Sequence, residues 1–220
     1  MRYPHSYGRE KSFIQNQNIT TKIITFAFYQ MELKEKQKKI LDVAVELFKE
    51  KGYMGSSVRD LATKLNIKAA SLYAHIRSKE EILEWICFGI AQEFFDELQE
   101  IKNTDIPPRE KLNLFIEKHL SVVLKNRDVT HIYSNEWKHL EERLAEFIAL
   151  RKNYQQEVEA LISEIYHAES WELRSSSFTT RFILHTLNNS YFWFKRNTES
   201  TSEITDEIRD KILYGLLGKK

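Results

Sequence analysis

Hydrophobic residues recur at three- and four-residue steps along most of the chain, which is the spacing of one face of an amphipathic helix. The first such stripe covers residues 34–51, and Gly52 supplies a positive-φ stop. Shorter stripes follow at residues 58–65 and 69–76, and Asn66 can adopt positive φ in the turn between them. Two short helices joined by a tight turn and braced by a preceding helix form a helix-turn-helix.

Two sequence signals mark where the second and fourth predicted helices begin. Ser57 precedes Asp60 by three residues, which is a weaker relative of the Ser/Thr-x-x-Glu capping box. Ser78 precedes Glu81 by the same interval, so each residue can bond the backbone amide of the other. A long fourth helix is therefore predicted to start directly after the helix-turn-helix.

The remainder of the chain is also predicted to be helical. Pro107 and Pro108 separate the fourth helix from a fifth stripe at residues 112–123, and a shorter segment begins at Arg127. A long stripe then follows, and the predicted fold class is all-α, with an N-terminal three-helix helix-turn-helix domain followed by a helical domain. The long stripe consists of Leu144, Phe147, Ile148, Arg151, Tyr154, Gln155, Val158, Leu161, Ile162 and Ile165.

The last two predicted helices, at about 175–196 and 203–217, are more apolar than one small core can absorb. They could pair with their symmetry mates as a four-helix interface, which predicts a homodimer. The alternative is a monomer in which the same helices cover its own pocket. The apolar residues concerned are Phe178, Phe182, Ile183, Leu184, Leu187, Tyr191, Phe192, Trp193, Phe194, Ile204, Ile208, Ile212, Leu213, Leu216 and Leu217.

Composition restricts the possible classes of protein. The 220 residues are 42% hydrophobic and 30% charged with only 6 Gly and 3 Pro, which favours long helices over many short strands. Cys87 is the only cysteine, so neither a disulfide framework nor a Cys-based zinc cluster can form. Nothing approaches the roughly 18 consecutive apolar residues of a membrane span. A soluble, cytoplasmic protein is expected.

Residues 1–31 fit poorly with the helical pattern. They contain Pro4, Gly8 and a brief apolar run that Thr25 interrupts, which is too short for a signal peptide. Two interpretations stay open for this tail: a disordered arm, or a mis-called start with Met31 as the true first residue.

Charge divides the chain into unlike parts. The overall charge of +1 combines a balance of +3 in residues 1–31, +5 in residues 32–79 and −7 in residues 80–220. A basic block ahead of an acidic body is typical of a nucleic-acid-binding module joined to a different domain. We therefore predict a DNA-binding domain over 32–79 and a ligand-binding and dimerisation domain over 80–220. A three-helix bundle without DNA contact is the alternative.

The helix-turn-helix region resembles a known family. Gly52-Tyr53, Ser57–Ala62, Leu65–Ile67 and Ser71–Ile76 look like the amino-terminal signature of tetracycline-repressor (TetR) family transcriptional regulators. Ala69 departs from the family pattern, since Lys or Arg is frequent there. The resemblance implies a repressor that binds a pseudo-palindromic operator as a homodimer and is released by a small-molecule effector.

Small residues at the start of the recognition helix let the backbone approach base edges, where Ser71 can hydrogen-bond. The resemblance implies that Tyr73, His75 and Lys79 hold phosphates, and Ser57 can present its hydroxyl to another. Tyr73 could instead pack in the core, and His75 could be a solvated surface residue. The predicted DNA-binding residues are Ser57, Lys68, Ala69, Ala70, Ser71, Tyr73, His75 and Lys79.

Residues 135–140, 151–154 and 187–194 more loosely resemble the ligand domain of family members that answer to acyl-coenzyme A esters. This likeness implies an elongated, mainly apolar pocket between helices four to eight with a polar end. The predicted ligand-binding residues are His119, Asn135, Glu136, His139, Arg151 and Tyr154.

Arg151 is the unusual member of the long apolar stripe. A guanidinium among apolar side chains needs a partner. It either pairs with an internal acid such as Glu136 or awaits an anionic group on a ligand.

An enzyme is the alternative class of function. Glu136-x-x-His139 and Glu164-x-x-His167 have the spacing that di-iron carboxylate proteins use in helical bundles. With 25 Glu and 7 His among 220 residues, about one such pair is expected by chance, so two are unremarkable. We therefore predict no catalytic residues, no bound metal and no cofactor.

Overall fold

The computed structural model describes residues 33–170, 175–193 and 201–217 of the 220-residue chain. The described residues form helices and no strands, which confirms the all-α prediction. The predicted tail at 1–31 lies outside them, and none of the helices they form is long and apolar enough to cross a membrane. The helices are α1 (Glu35–Lys51), α2 (Val58–Lys64), α3 (Ala69–Leu72), α4 (Lys79–Lys102), α5 (Pro108–Lys125), α6 (Arg127–Asn135), α7 (Leu144–Ala168), α8 (Ser176–Asn189) and α9 (Thr201–Leu217), with 3₁₀ turns at Trp137–His139 and Ser190–Phe192.

The start of α2 and the turns on either side of it follow the sequence signals. Gly52 ends α1 with φ 72°, and Asn66 occupies the turn before α3 with φ 53°, as predicted. The Ser57 hydroxyl accepts a hydrogen bond from the Asp60 amide at 3.1 Å, and the Asp60 carboxylate accepts one from the Ser57 amide at 2.9 Å. The capping box therefore fixes where α2 begins.

The recognition helix is shorter than predicted. The sequence predicted a helix over 69–76, whereas α3 ends at Leu72 and a turn follows. The amide of His75 bonds the carbonyl of Leu72 at 2.9 Å, an i→i−3 bond that tightens the final turn. Ser78 is extended at φ −155° because it caps the next helix, so the chain must leave the helical conformation before it.

α4 is the central helix of the molecule, and residues 81–91 are all buried. The Ser78 hydroxyl accepts the Glu81 amide at 3.1 Å, as the capping box predicted. The second half of that prediction is wrong, because the Glu81 carboxylate accepts the amide of Arg77 instead of that of Ser78. Glu81 thereby ties the end of the helix-turn-helix to the first turn of α4.

The helices α5, α6 and α7 pack against α4 and bury most of the predicted long stripe. Ile148 is an error in that stripe, because its side chain is 47% exposed. Leu150 is buried in its place, at 6% exposure. Ile148 directly follows the fully buried Phe147, and one residue is about 100° of helical rotation, which carries the side chain out of the core.

The last two helices differ slightly from their predicted ranges. α8 ends at Asn189, whose side-chain amide donates to the carbonyl of His185 at 2.9 Å. The hydroxyl of Ser190 donates to the carbonyl of Leu187 at 2.8 Å. These side chains satisfy the final carbonyls of α8, so the helix stops before the predicted residue 196. Residues 194–200 lie outside the described part of the chain.

Candidate functional site

The recognition helix presents small and polar residues to the exterior. Leu72 and Ile76 are buried, at 0% and 3% exposure, and anchor this segment in the core. Tyr73 is 56% exposed, so it does not pack in the core, the alternative left open above. His75 is half-buried, and its carbonyl accepts a hydrogen bond from the side chain of Gln37 on α1. The predicted residues Lys68, Ala70 and Ser71 are exposed, and Ala69 is half-buried.

Two predicted phosphate-binding residues also form hydrogen bonds within the protein. The hydroxyl of Ser57 belongs to the capping box described above. The Lys79 ammonium donates to the carbonyls of Tyr53 and Ser56, each at 2.8 Å, and lies 4.0 Å from the centre of the Tyr53 ring. Burial lowers the pKa of Lys79, although the nearby Glu136 carboxylate raises it. This geometry favours a bracing role for Lys79, and the predicted phosphate contact stays untested.

Lys79→Met is expected to lower the free energy of unfolding by about 1–2 kcal/mol, because two carbonyls lose a charged donor. Thermal unfolding of both proteins in the absence of DNA measures this loss. A variant that melts like wild type yet binds DNA poorly would instead support a phosphate contact by Lys79.

Tyr53 connects the helix-turn-helix to the body. Its ring packs edge-on against Phe48 and stacks on His139, with the two centroids 5.5 Å apart and an interplanar angle of 20°. Burial, followed by the carboxylates of Glu80 and Glu141, raises the pKa of Tyr53 to about 12. The His139 ring also lies 3.5 Å from the Glu136 carboxylate. Two predicted ligand-binding residues therefore lie at the junction between the two parts of the chain.

His119 and Tyr154 form a second polar cluster, deep in the body. One ring nitrogen of His119 bonds the Tyr154 hydroxyl at 3.0 Å, and the other bonds the amide oxygen of Asn188 at 2.9 Å. The imidazole stacks on Phe94 with centroids 4.3 Å apart. Nε2 therefore carries the proton given to Asn188, and Nδ1 accepts the Tyr154 hydroxyl proton. The cluster joins α5, α7 and α8, and its Asn188 partner was not among the predicted site residues.

This cluster predicts a loss of stability in mild acid. Burial lowers the pKa of His119 from 6.5 to about 4, so between these values the unfolded chain binds a proton that the folded chain does not. The stability that the neutral His119 contributes is therefore fully present well above pH 6.5 and is lost as the pH drops towards 4. At pH 5 the loss is about 2 kcal/mol.

Urea unfolding of wild type and His119→Gln between pH 7.5 and 4.5 isolates this contribution, since all other groups titrate in both proteins. The difference in stability between them is expected to shrink with acidification. A difference independent of pH would contradict the prediction.

Three aromatic rings surround the guanidinium of Arg151 near the junction. Its guanidinium carbon is 4.8 Å from the ring centre of Trp137, 5.3 Å from that of Tyr133 and 6.0 Å from that of Phe147. Nη1 is buried and has no hydrogen-bond partner among the described residues. The alternative pairing with Glu136 does not occur within the described chain, where the His139 ring lies 3.5 Å from the Glu136 carboxylate.

Asn135 stands apart from the other predicted ligand-binding residues. It is exposed, and its amide donates to the carbonyl of His131 at 2.8 Å. The ring of His131 in turn forms a hydrogen bond with the Tyr191 hydroxyl at 3.1 Å. The six predicted residues therefore lie in the His119–Tyr154 cluster, in the junction around Glu136, His139 and Arg151, and at the exposed Asn135, and a ligand pocket that they share stays a prediction.

The di-iron alternative is not supported by the positions of its ligands. Such sites need both Glu-x-x-His pairs to project into the bundle. His139 stacks on Tyr53 and lies 3.5 Å from Glu136, whereas Glu164 and His167 are exposed on α7. Within the described residues no group of three His, Cys, Asp or Glu side chains could hold a metal ion.

An ion-pair network around one buried carboxylate, which the sequence analysis missed, also crosses the junction. Glu84 on α4 is 6% exposed and lies 3.8 Å from Arg77 and 3.6 Å from Arg143. Arg143 also forms two hydrogen bonds to Glu146 and covers the Phe88 ring at 3.9 Å. Burial raises the pKa of Glu84, and the two guanidinium groups oppose that shift. The spacing of these residues along the sequence gave no signal of this network.

These features define a protein whose helix-turn-helix segment is joined to a larger helical body. Residues 40–86 match the family profile described as "Bacterial regulatory proteins, tetR family", and residues 105–216 match "Tetracyclin repressor-like, C-terminal domain". The second match alone covers half of the chain. The chain belongs to the TetR family.

Relatives of known structure and function give the same assignment. The chain is 30% identical over 105 residues to the HTH-type transcriptional repressor KstR2 of Rhodococcus jostii, which covers 48% of this chain and 52% of that protein. It thus spans about half the length of that curated relative. The TetR family regulator PfmR of Thermus thermophilus superposes with a TM-score of 0.71 and 30% identity, over 80% of this chain and 98% of PfmR.

A further solved structure shares the fold. AibR, crystallised in complex with isovaleryl coenzyme A and operator DNA, superposes with a TM-score of 0.69 and 23% identity, over 79% of this chain and 95% of AibR. At that level of identity the likeness concerns the arrangement of helices.

Proposed function

We propose that this protein is a DNA-binding transcriptional repressor that recognises a pseudo-palindromic operator as a homodimer. The exposed face of α3 carries this proposal. Lys68, Ala70, Ser71 and Tyr73 point outward from a segment that Leu72 and Ile76 hold in the core. Small side chains allow close approach to base edges, and the exposed cation and phenol can reach phosphates.

The predicted functions of the two domains are part of this proposal. Residues 32–79 bind DNA, and residues 80–220 bind an effector and the partner subunit. Phe182 is 48% exposed on α8, and Trp193 is 58% exposed just beyond that helix. Together with Ile204, Ile208 and Ile212 of α9 they line a groove of about 720 Å³. Exposed apolar surface of this kind supports pairing with a second copy of the chain.

The effector is proposed to be a small hydrophobic molecule of the acyl-coenzyme A type, which releases the repressor from its operator. The isovaleryl coenzyme A bound by AibR supports this class of compound. The aromatic surroundings of Arg151 and the His119–Tyr154 cluster support a site that combines apolar surface with polar groups.

Operator binding is tested by selecting bound duplexes from a random library and footprinting the enriched sequence. The expected result is a two-fold symmetric footprint with half-sites about one helical turn apart. Protection of a single asymmetric half-site by a monomer would refute the dimeric mode, and the absence of any enriched sequence would refute the proposed function.

Tyr73→Ala is expected to weaken binding to specific and non-specific duplexes alike, by about tenfold, because a phosphate contact carries no sequence information. Titrations with both duplexes at one salt concentration measure this. Tyr73→Phe keeps the ring and removes only the hydroxyl, so it should lose as much affinity as Tyr73→Ala if the hydroxyl makes the contact. Equal affinity of Tyr73→Ala and wild type would remove Tyr73 from the interface.

A further inference from the structure

We propose that Arg151 binds a carboxylate or thioester oxygen of the effector, and that the Trp137–His139 turn transmits this contact to the DNA-binding end of the molecule. This inference rests on the proposed function, and it names the effector group that the protein reads and the path by which it acts.

The binding half of the proposal follows from the unsatisfied guanidinium. Arg151 Nη1 is buried without a hydrogen-bond partner in the described residues, and leaving a charged donor unpaired is costly. The guanidinium carbon lies over the rings of Tyr133, Trp137 and Phe147, 4.8 to 6.0 Å from their centres, and an aromatic face does not replace a hydrogen-bond acceptor for the N–H groups. An anionic or carbonyl oxygen attached to an apolar body suits both features.

A purely structural role for Arg151 would require a carboxylate at ion-pair distance. Glu136 is the acid that the sequence suggested, but its carboxylate faces His139 at 3.5 Å. The Arg143 guanidinium, by contrast, is fully engaged with Glu84 and Glu146. Of these two half-buried arginines, Arg151 is the one with a buried N–H group that has no acceptor among the described residues.

The coupling half follows from the contacts of the short 3₁₀ turn. Trp137 begins this turn and lies against Arg151, and His139 ends it and stacks on Tyr53. The Tyr53 carbonyl and ring in turn hold Lys79, the first residue of α4, next to the recognition helix. A ligand oxygen that draws the guanidinium away from Trp137 therefore changes the support of Tyr53 within one turn of chain.

The sign of the coupling follows from the proposed function, in which the effector releases the operator. Effector and operator compete for two arrangements of the same turn, so each weakens the binding of the other by the same factor, typically 5- to 150-fold. Arg151 sets affinity for the effector, whereas His139 sets only the size of that factor.

The binding step is tested with decanoate, decanoyl-coenzyme A and uncharged decanol as probes. Each is titrated into the full chain while the melting temperature is recorded. At least one anionic probe is expected to stabilise wild type more than decanol does, and the better of the two shows whether the site takes a free carboxylic acid or a coenzyme A ester. If neither anionic probe raises the melting temperature, the assignment of Arg151 is wrong.

Arg151→Met separates the ligand contact from packing, because Met keeps most of the apolar stem and removes the charge. Its affinity for the anionic probe is expected to fall at least tenfold, and its binding to operator should no longer respond to the probe. Lys152→Met is the matched control, since it removes an exposed cation one residue along α7. A large melting loss for Arg151→Met that Glu136→Gln restores would identify a structural ion pair and overturn the proposal.

The coupling step is tested with His139→Ala and His139→Phe, each titrated with probe in the presence and absence of operator. The Ala variant is expected to bind the probe like wild type but to lose most of the coupling factor. The Phe variant retains a ring on Tyr53 and should retain coupling. Equal coupling in all three proteins would refute the role of the turn.

The two levels of inference fail differently. A wild-type protein that binds no operator at all defeats the proposed function, whatever the probes do. If wild type binds operator, and a probe releases wild type and Arg151→Met from operator equally well, only this inference is defeated.

Discussion

Phe182→Asp is expected to convert the protein to a monomer and to lower its operator affinity by at least 100-fold. Phe182 is 48% exposed on α8 and lines the apolar groove between α8 and α9. A carboxylate at that position would have to lose its hydration in a paired interface, at a cost of several kcal/mol. One recognition helix reads only a few base pairs, so loss of the second half-site removes about half of the DNA contacts.

Sedimentation velocity and operator titration on the same preparation measure both effects. Ile148→Asp provides the matched control, because Ile148 is an equally exposed apolar residue, at 47%, on α7. The control should remain dimeric and bind operator like wild type. A Phe182→Asp protein that stays dimeric would show that the exposed aromatic face of α8 is not the interface between subunits.

The elements of the fold were largely predictable because each is encoded locally. Helical periodicity located the helices, and Gly52 and Asn66 marked turns that need positive φ. The errors lie where two local preferences compete. Ser78 must be extended to cap α4, which shortens α3, and Ser190 bonds the carbonyl of Leu187, which ends α8 early.

The sequence predicted which types of residue form the candidate sites, but only partly which residues lie next to each other in the fold. The exposed residues of α3 lie on one short segment, so the sequence alone groups them. Glu136 and His139 were predicted beside Arg151 in a pocket, and in the structure His139 contacts Glu136 and stacks on Tyr53, which lies much earlier in the chain. Such a partner is fixed by how α6 and the following turn pack on α1, and periodicity carries no information about that packing.

The junction network gives the second large effect. Arg143→Met is expected to lower the free energy of unfolding by about 3 kcal/mol, since it leaves the carboxylate of Glu84 buried beside a single, more distant guanidinium. Burial already raises the pKa of Glu84 against the pull of Arg143 and Arg77. Without Arg143 that pKa rises further, and folding at neutral pH must either bury the charge or take up a proton.

Thermal unfolding at pH 7.5 is expected to show Arg143→Met melting about 6–12 °C below wild type. Adding Glu84→Gln should recover much of the loss, because the amide of Gln carries no charge to desolvate. Lys138→Met, which removes an exposed cation in the neighbouring turn, should change the melting temperature little. If the second substitution recovers nothing, the loss comes from the bonds of Arg143 to Glu146 and its packing on Phe88, and Glu84 is not the residue that requires it.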